Sequence, residues 1–154
     1  GFDATHIPAY GPESRGGTSY ADVHVAADEV LSPASPKPDV LIAFNMPSLV
    51  KFGPDVPKGG TIIYDSSIIH EYTPVKPGVK IVGVPMSEIA QDLGKLMVKN
   101  IVALGALQAA TNIFPKETFL TSIRRALKDK AAMIPLNEKA FDRGVAAASE
   151  VAVP

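Results

Sequence analysis

An α/β fold in three layers, with helices on both faces of a sheet, is predicted by a change of pattern halfway along the chain. The first half carries short continuous apolar runs, DVLIAF at 39–44, GTIIYD at 60–65 and KIVGVP at 80–85, punctuated by proline and glycine. Such runs, rich in branched side chains, suit strands covered on both faces. The second half changes to helical period, and helices following strands in one chain favour a mixed, largely parallel sheet with a C-terminal helical segment. With 154 residues, the span 1–154 is expected to form one domain, without internal repeat or dividing linker.

The elements follow in order. FDATHI, residues 2 to 7, reads as a strand stopped by Pro8 and the Tyr10-Gly11-Pro12 turn. From Thr18 the chain alternates, placing Thr18, Tyr20, Asp22 and His24 on a more polar face and Ser19, Ala21, Val23 and Val25 on the other. LSPASPKP at 31–38 holds three prolines and reads as a solvent-facing connector. Pro47 is placed to open a short helix through Phe52, and Lys58-Gly59-Gly60 supplies the turn into the second apolar run. MSEIAQDLG at 86–94 predicts a short helix capped by Ser87 and ended by Gly94.

KLMVKNIVALGALQAATN at 95–112 predicts a core helix, apolar nearly all round, with Lys99 and Asn100 as its chief interior polar residues. Such a helix must be covered. Gly105, Ala106, Ala109 and Ala110 leave little side-chain bulk, so another element or a partner subunit can approach closely. PKETFLTSIRRALKD at 115–129 begins with proline and acid and ends in basic residues, matching both helix-end preferences. PLNEKAFDRGVAAASEVA at 135–152 completes the helical series.

Composition narrows the function. A net charge of -1, from 15 basic and 16 acidic residues, gives no field for nucleic acid or an anionic membrane. The absence of cysteine removes thiol nucleophiles and cysteine-ligated iron–sulfur or zinc centres from this chain. No apolar run reaches the roughly 18 residues of a membrane helix, and no basic-then-apolar leader precedes Gly1, so the chain reads as cytoplasmic. His6, His24 and His70 are dispersed without ligand spacing, so no metal site is expected. The serines lack a nucleophile-elbow arrangement, and no catalytic residues are assigned.

Two regions carry candidate binding groups. In YGPESRGG, Tyr10, Gly11, Glu13, Arg15, Gly16 and Gly17 form a glycine-hinged charged loop. Its arginine suits a carboxylate or phosphate, and the same residues suit a structural turn joined by Glu13 and Arg15. It is not a phosphate-binding loop of the Walker type. The second region is the set of strand ends, where ligands gather in open α/β sheets. Asn45, Ser66 and Ser67 suit either a cofactor edge or ordinary turns and caps, and Asp65 at a strand end suits a ribose. Asn100, if buried, requires hydrogen-bond partners and reads as fold support.

Taken in order, YGPESRGGTSYADVHV at 10–25, PDVLIAFNMPSLVKFGPDVPKGGTIIYDSSII at 38–69, VGVPMSEIAQDLG at 82–94, VKNIVALGAL at 98–107 and NEKAFDRG at 137–144 resemble the gamma subunit or gamma domain of the 2-oxoacid:ferredoxin oxidoreductases. That group includes the pyruvate, 2-oxoglutarate and branched-chain 2-oxoacid enzymes. The resemblance implies a non-catalytic component assembled with alpha and beta subunits that bind thiamine diphosphate and magnesium, and with an iron–sulfur delta subunit or domain. Coenzyme A is then the co-substrate and ferredoxin the electron acceptor, while this chain holds no cofactor itself. It further implies a role near the coenzyme A side of the active site, with 2-oxoglutarate or a branched-chain acid favoured over pyruvate. Relatives usually begin with a strand and a GxGGQG-type loop, and this sequence starts after that unit. It also has Lys95 where relatives often have asparagine. The alternative is a free-standing α/β nucleotide-binding protein, which would bind nucleotide without partners.

Overall fold

The three continuous apolar runs form one parallel sheet. In the computed structural model, which describes residues 1–10, 19–30, 37–73 and 76–151, they are β3 (Val40–Ala43), β4 (Thr61–Asp65) and β5 (Lys80–Val84), in the order β3-β4-β5. Ile62 stands opposite Leu41 on one side and Ile81 on the other, and Ile63 opposite Ile42 and Val82. The period of two then sorts these strands between two cores. Leu41, Ala43, Ile62 and Ile81 join one apolar cluster, and Val40, Ile42, Ile63, Val82 and Val84 join the other.

Helices cover both faces, so the unit is layered as expected. On the first face, α1 (Met46–Phe52) contributes Leu49, which packs with Val56 and Ile69. On the second face lie α2 (Met86–Asp92), α3 (Lys99–Thr111) and α5 (Ile134–Val151), contributing Ile89, Val102, Ala106 and Ala140. Burying each Ile, Leu or Val side chain is worth roughly 1.5 to 3 kcal/mol. Between α3 and α5, α4 (Lys116–Ala126) leads into a 3-10 turn, Lys128–Met133. Its Leu120 and Ile123 pack on Phe141 of α5.

The small residues of the apolar helix find their partner within the chain. A Cβ on Gly105 would lie 2.1 Å from the Phe141 carbonyl oxygen, and one on Gly144 would lie 2.0 Å from that of Val102. Helices α3 and α5 therefore cross backbone to backbone, each presenting a glycine to the other. The predicted long helix is shorter at its start, where Leu96–Val98 forms a separate 3-10 turn before α3. Asn112, in left-handed conformation at φ 51°, ends it.

Residues 1–38 form a unit distinct from residues 39–154. Here β1 (Asp3–Tyr10) pairs antiparallel with β2 (Ser19–Ala26) in a separate two-stranded sheet, from Asp3 opposite Ala26 to Tyr10 opposite Ser19. The first strand runs through Pro8, where the sequence predicts a stop. Both strands of a two-stranded sheet are edges, and an edge tolerates a residue without an N–H. The alternation also distributes differently from a polar-out pattern: Asp22 and His24 are half-buried, whereas Val23 is 62% exposed. The Asp3 carboxylate accepts from the amides of Ala4 and Val30, at 3.0 and 2.8 Å. Most of the connector predicted at 31–38 lies outside the described residues.

Candidate functional site

The carboxyl ends of the parallel strands carry a polar rim built around one buried carboxylate. Asp65 ends the apolar run of β4 and is fully buried. Its Oδ1 accepts from the amides of Ser67, at 3.1 Å, and Ser87, at 3.3 Å. Its Oδ2 accepts the Ser87 hydroxyl at 2.5 Å. Lys99, at the start of α3, brings its ammonium to 4.0 Å from Oδ2 and lies over the Phe44 ring, 5.1 Å from the centroid. A buried carboxylate is tolerated only with such hydrogen bonds and a nearby cation.

This arrangement corrects the expected cap of α2. Ser87 lies inside the first turn and does not cap the helix; Pro85 stands at the N-cap, without a side-chain acceptor. The free amides of that turn are satisfied from the end of β4 instead. Asp65 takes the Ser87 N–H, and the Ser67 hydroxyl accepts from the Glu88 N–H at 3.1 Å. Both oxygens of Asp65 are thus engaged within the protein, which leaves no free face for the ribose contact considered from sequence.

The other candidates separate. Asn45 caps α1, its Oδ1 accepting from the Ser48 N–H at 2.9 Å, so the capping alternative describes its side chain here. Ser66 donates its backbone N–H to the Val84 carbonyl at 2.9 Å, tying the end of β4 to that of β5. Asn45, Ser66 and Ser67 therefore all stand on loops leaving the carboxyl ends of β3 and β4. Tyr10 closes β1, while Gly11, Glu13, Arg15, Gly16 and Gly17 lie outside the described residues. Asn100 is exposed rather than buried, because the face of α3 that carries it is not the one packed on α5 and the sheet.

Chemically, the rim holds loops in place. The Ser87 hydroxyl donates to a carboxylate already committed to two amides, and no imidazole joins it to form a nucleophile–base pair. Among the described residues no group of three or more histidine, aspartate or glutamate side chains is arranged to hold a metal ion. No helix among them is long and apolar enough to cross a membrane. Sequence reasoning missed Lys99 as the cation of this rim. The available signal was a lysine inside an otherwise apolar segment, downstream of a strand-end aspartate.

Comparison with known proteins agrees with this architecture. The family model described as pyruvate ferredoxin/flavodoxin oxidoreductase matches residues 1–147. The ketoisovalerate oxidoreductase subunit VorA of Methanothermobacter marburgensis is 39% identical over 94% of this chain, which spans only 30% of that protein. The 2-oxoglutarate synthase subunit KorC of Methanocaldococcus jannaschii is 31% identical, over 97% of this chain and 79% of its own length. Among solved structures, the 2-oxoglutarate:ferredoxin oxidoreductase of Magnetococcus marinus, determined with 2-oxoglutarate, coenzyme A and succinyl-CoA bound, superposes with a TM-score of 0.83 at 26% identity. That match covers 100% of this chain and 27% of the other. The layered sheet, the order of its elements and these matches place the chain in the pyruvate ferredoxin/flavodoxin oxidoreductase family, as a gamma-type domain of the 2-oxoacid:ferredoxin oxidoreductases.

Proposed function

We propose that this chain is the non-catalytic gamma component of a thiamine diphosphate-dependent 2-oxoacid:ferredoxin oxidoreductase. Such an assembly converts a 2-oxoacid and coenzyme A into an acyl-CoA and carbon dioxide while reducing ferredoxin. The observation that carries this reading is the strand-end rim, whose buried carboxylate is committed to amides, a hydroxyl and a lysine of its own chain. A site so engaged positions loops and leaves the chemistry to partners. The donor set agrees: without cysteine, the chain offers no thiolate ligands to an iron–sulfur cluster, so the clusters belong on an iron–sulfur partner. Thiamine diphosphate and magnesium belong, on this reading, to the alpha and beta subunits.

The substrate class we favour is a branched-chain 2-oxoacid or 2-oxoglutarate rather than pyruvate. Identities of 39% to a ketoisovalerate subunit and 31% to a 2-oxoglutarate subunit support it. The loop with Tyr10, Gly11, Glu13, Arg15, Gly16 and Gly17 is assigned to a subunit interface or to the coenzyme A side. There Arg15→Ala should weaken assembly or raise the coenzyme A requirement, and unchanged values of both would reduce the loop to a turn.

The decisive experiment purifies the complex through this chain and compares kcat/KM for pyruvate, 2-oxoglutarate and 2-oxoisovalerate with coenzyme A and a viologen acceptor. The isolated chain should reduce no dye, and the complex should prefer one of the two larger acids. Reduction by the chain alone would defeat the non-catalytic role. A complex preferring pyruvate would defeat the substrate class alone. Nucleotide affinity of the isolated chain, measured by calorimetry, would favour a free-standing binding protein instead.

A further inference from the structure

A groove of about 570 Å³ opens within the 39–154 unit between the start of α3, α4 and the 3-10 turn Lys128–Met133. Ile101 and Leu104 of α3 line one side, Phe119 and Ile123 of α4 the other, and Leu127 and Met133 one end. Its two charged lining residues are both lysines, Lys95 and Lys130, and no carboxylate lines it. Met97, itself a lining residue, is 80% exposed, and its sequence neighbour Leu96 is 57% exposed. A contiguous apolar surface reaching beyond a cavity suits a protein partner better than an enclosed small molecule.

The backbone around the groove limits what that partner can be. Its lining residues stand on helices and the turns between them, so no strand edge is available to pair with an incoming extended chain. A segment entering an apolar groove must then satisfy its own N–H and C=O groups, as an α-helix does. Charge narrows it again. Residues 124–130 carry Arg124, Arg125, Lys128 and Lys130 against Asp129. Arg124 is already paired with Glu117 and Glu138; Lys95, whose ammonium donates to the Met133 Sδ at 3.5 Å, and Lys130 border the groove itself. Carboxylates beside the partner's apolar stripe would complement them.

We propose that this groove seats an amphipathic α-helix of a partner polypeptide, with leucine-like anchors at i, i+3 or i+4, and i+7, flanked by aspartate or glutamate. The proposal rests on the reading of the chain as one component of an oxidoreductase assembly. In the test, a benzophenone amino acid replaces Met97 in the full chain, and the co-purified complex is photolysed after its subunit content has been measured. The expected cross-link falls on a helical, acid-flanked segment of another subunit. In addition, Lys95→Glu combined with Lys130→Glu should lower subunit retention at least tenfold without changing the melting temperature of the isolated chain. Acid-to-lysine changes on the cross-linked segment should restore retention. Cross-linking to a second copy of this chain, to a basic or extended segment, or to nothing in an intact complex would overturn the proposal, as would unchanged retention in the double variant. Failure of the unmodified chain to recover any subunit would overturn this proposal together with the assembly reading, and is distinguished by the subunit measurement made first.

Discussion

The parallel sheet and the antiparallel hairpin solve the same problem, burying strand side chains, to different extents. In the 39–154 unit each strand feeds two cores, and Ile62, Ile63, Val82 and Val84 are all essentially inaccessible. In the hairpin of residues 1–38, Phe2, Ile7, Tyr20 and Val23 remain 37% to 66% exposed. A sheet covered on both faces by its own chain is fixed by packing. A two-stranded ribbon is only marginally stable by itself, so the hairpin has apolar surface to spare for contacts outside its own strands.

The contrast predicts a gradient of mutational cost. The largest effect is expected at the helix crossing, where Gly105→Ala puts a methyl group against the Phe141 carbonyl and should lower stability by about 3 kcal/mol. A denaturant midpoint equal to that of the unaltered protein would mean that α3 and α5 can separate freely. Next, Asp65→Ala leaves the amides of Ser67 and Ser87 without their acceptor and Lys99 without its counter-ion, for a loss of about 2 to 3 kcal/mol. Thermal unfolding checks it, and a loss below 1 kcal/mol would show water replacing the carboxylate.

A smaller effect sharpens the comparison through pH. The Tyr72 hydroxyl is buried with no hydrogen-bond partner among the described residues, and burial raises its pKa above the usual tyrosine value. The folded state therefore favours the neutral phenol. This contribution to stability is fully present below the unfolded pKa, near 10, and is lost as pH rises through the folded value. Tyr72→Phe should change neutral-pH stability by less than about 1 kcal/mol while flattening the alkaline loss. An identical alkaline profile would assign that loss to other groups. The smallest effect belongs to the hairpin: Val23→Thr should shift stability by less than about 0.5 kcal/mol. A shift above 1 kcal/mol would indicate that this face is covered, removing the contrast at its source.

Legibility followed the range of the interactions. The strands of the parallel sheet were readable because burial on both faces leaves a continuous apolar run, and Pro47 marked a helix start, whose cap by Asn45, left open between a cofactor edge and a turn or cap, spans only three residues. The small residues of α3 announced a close approach, although not that Gly144 would supply the other half. The cap of α2 was misread because its acceptor, Asp65, lies 22 residues before Ser87, and a local motif cannot register an acceptor delivered by another strand. Whether Asn100 is buried was not legible for a related reason: in a helix apolar nearly all round, only tertiary packing selects the solvent face. The groove drew its lining from residues between 95 and 137, leaving no contiguous signature.

The glycine crossing also sets a waiting time during synthesis. Helix α3 ends at Thr111, but its closest cover, α5, is not complete until Val151, about 40 residues later. At roughly 5 to 20 residues per second, a ribosome takes about 2 to 8 s to make that stretch. For that interval a nearly all-apolar segment has emerged without its mate, and deletion of α5 should turn a folding delay into permanent recruitment of chaperones.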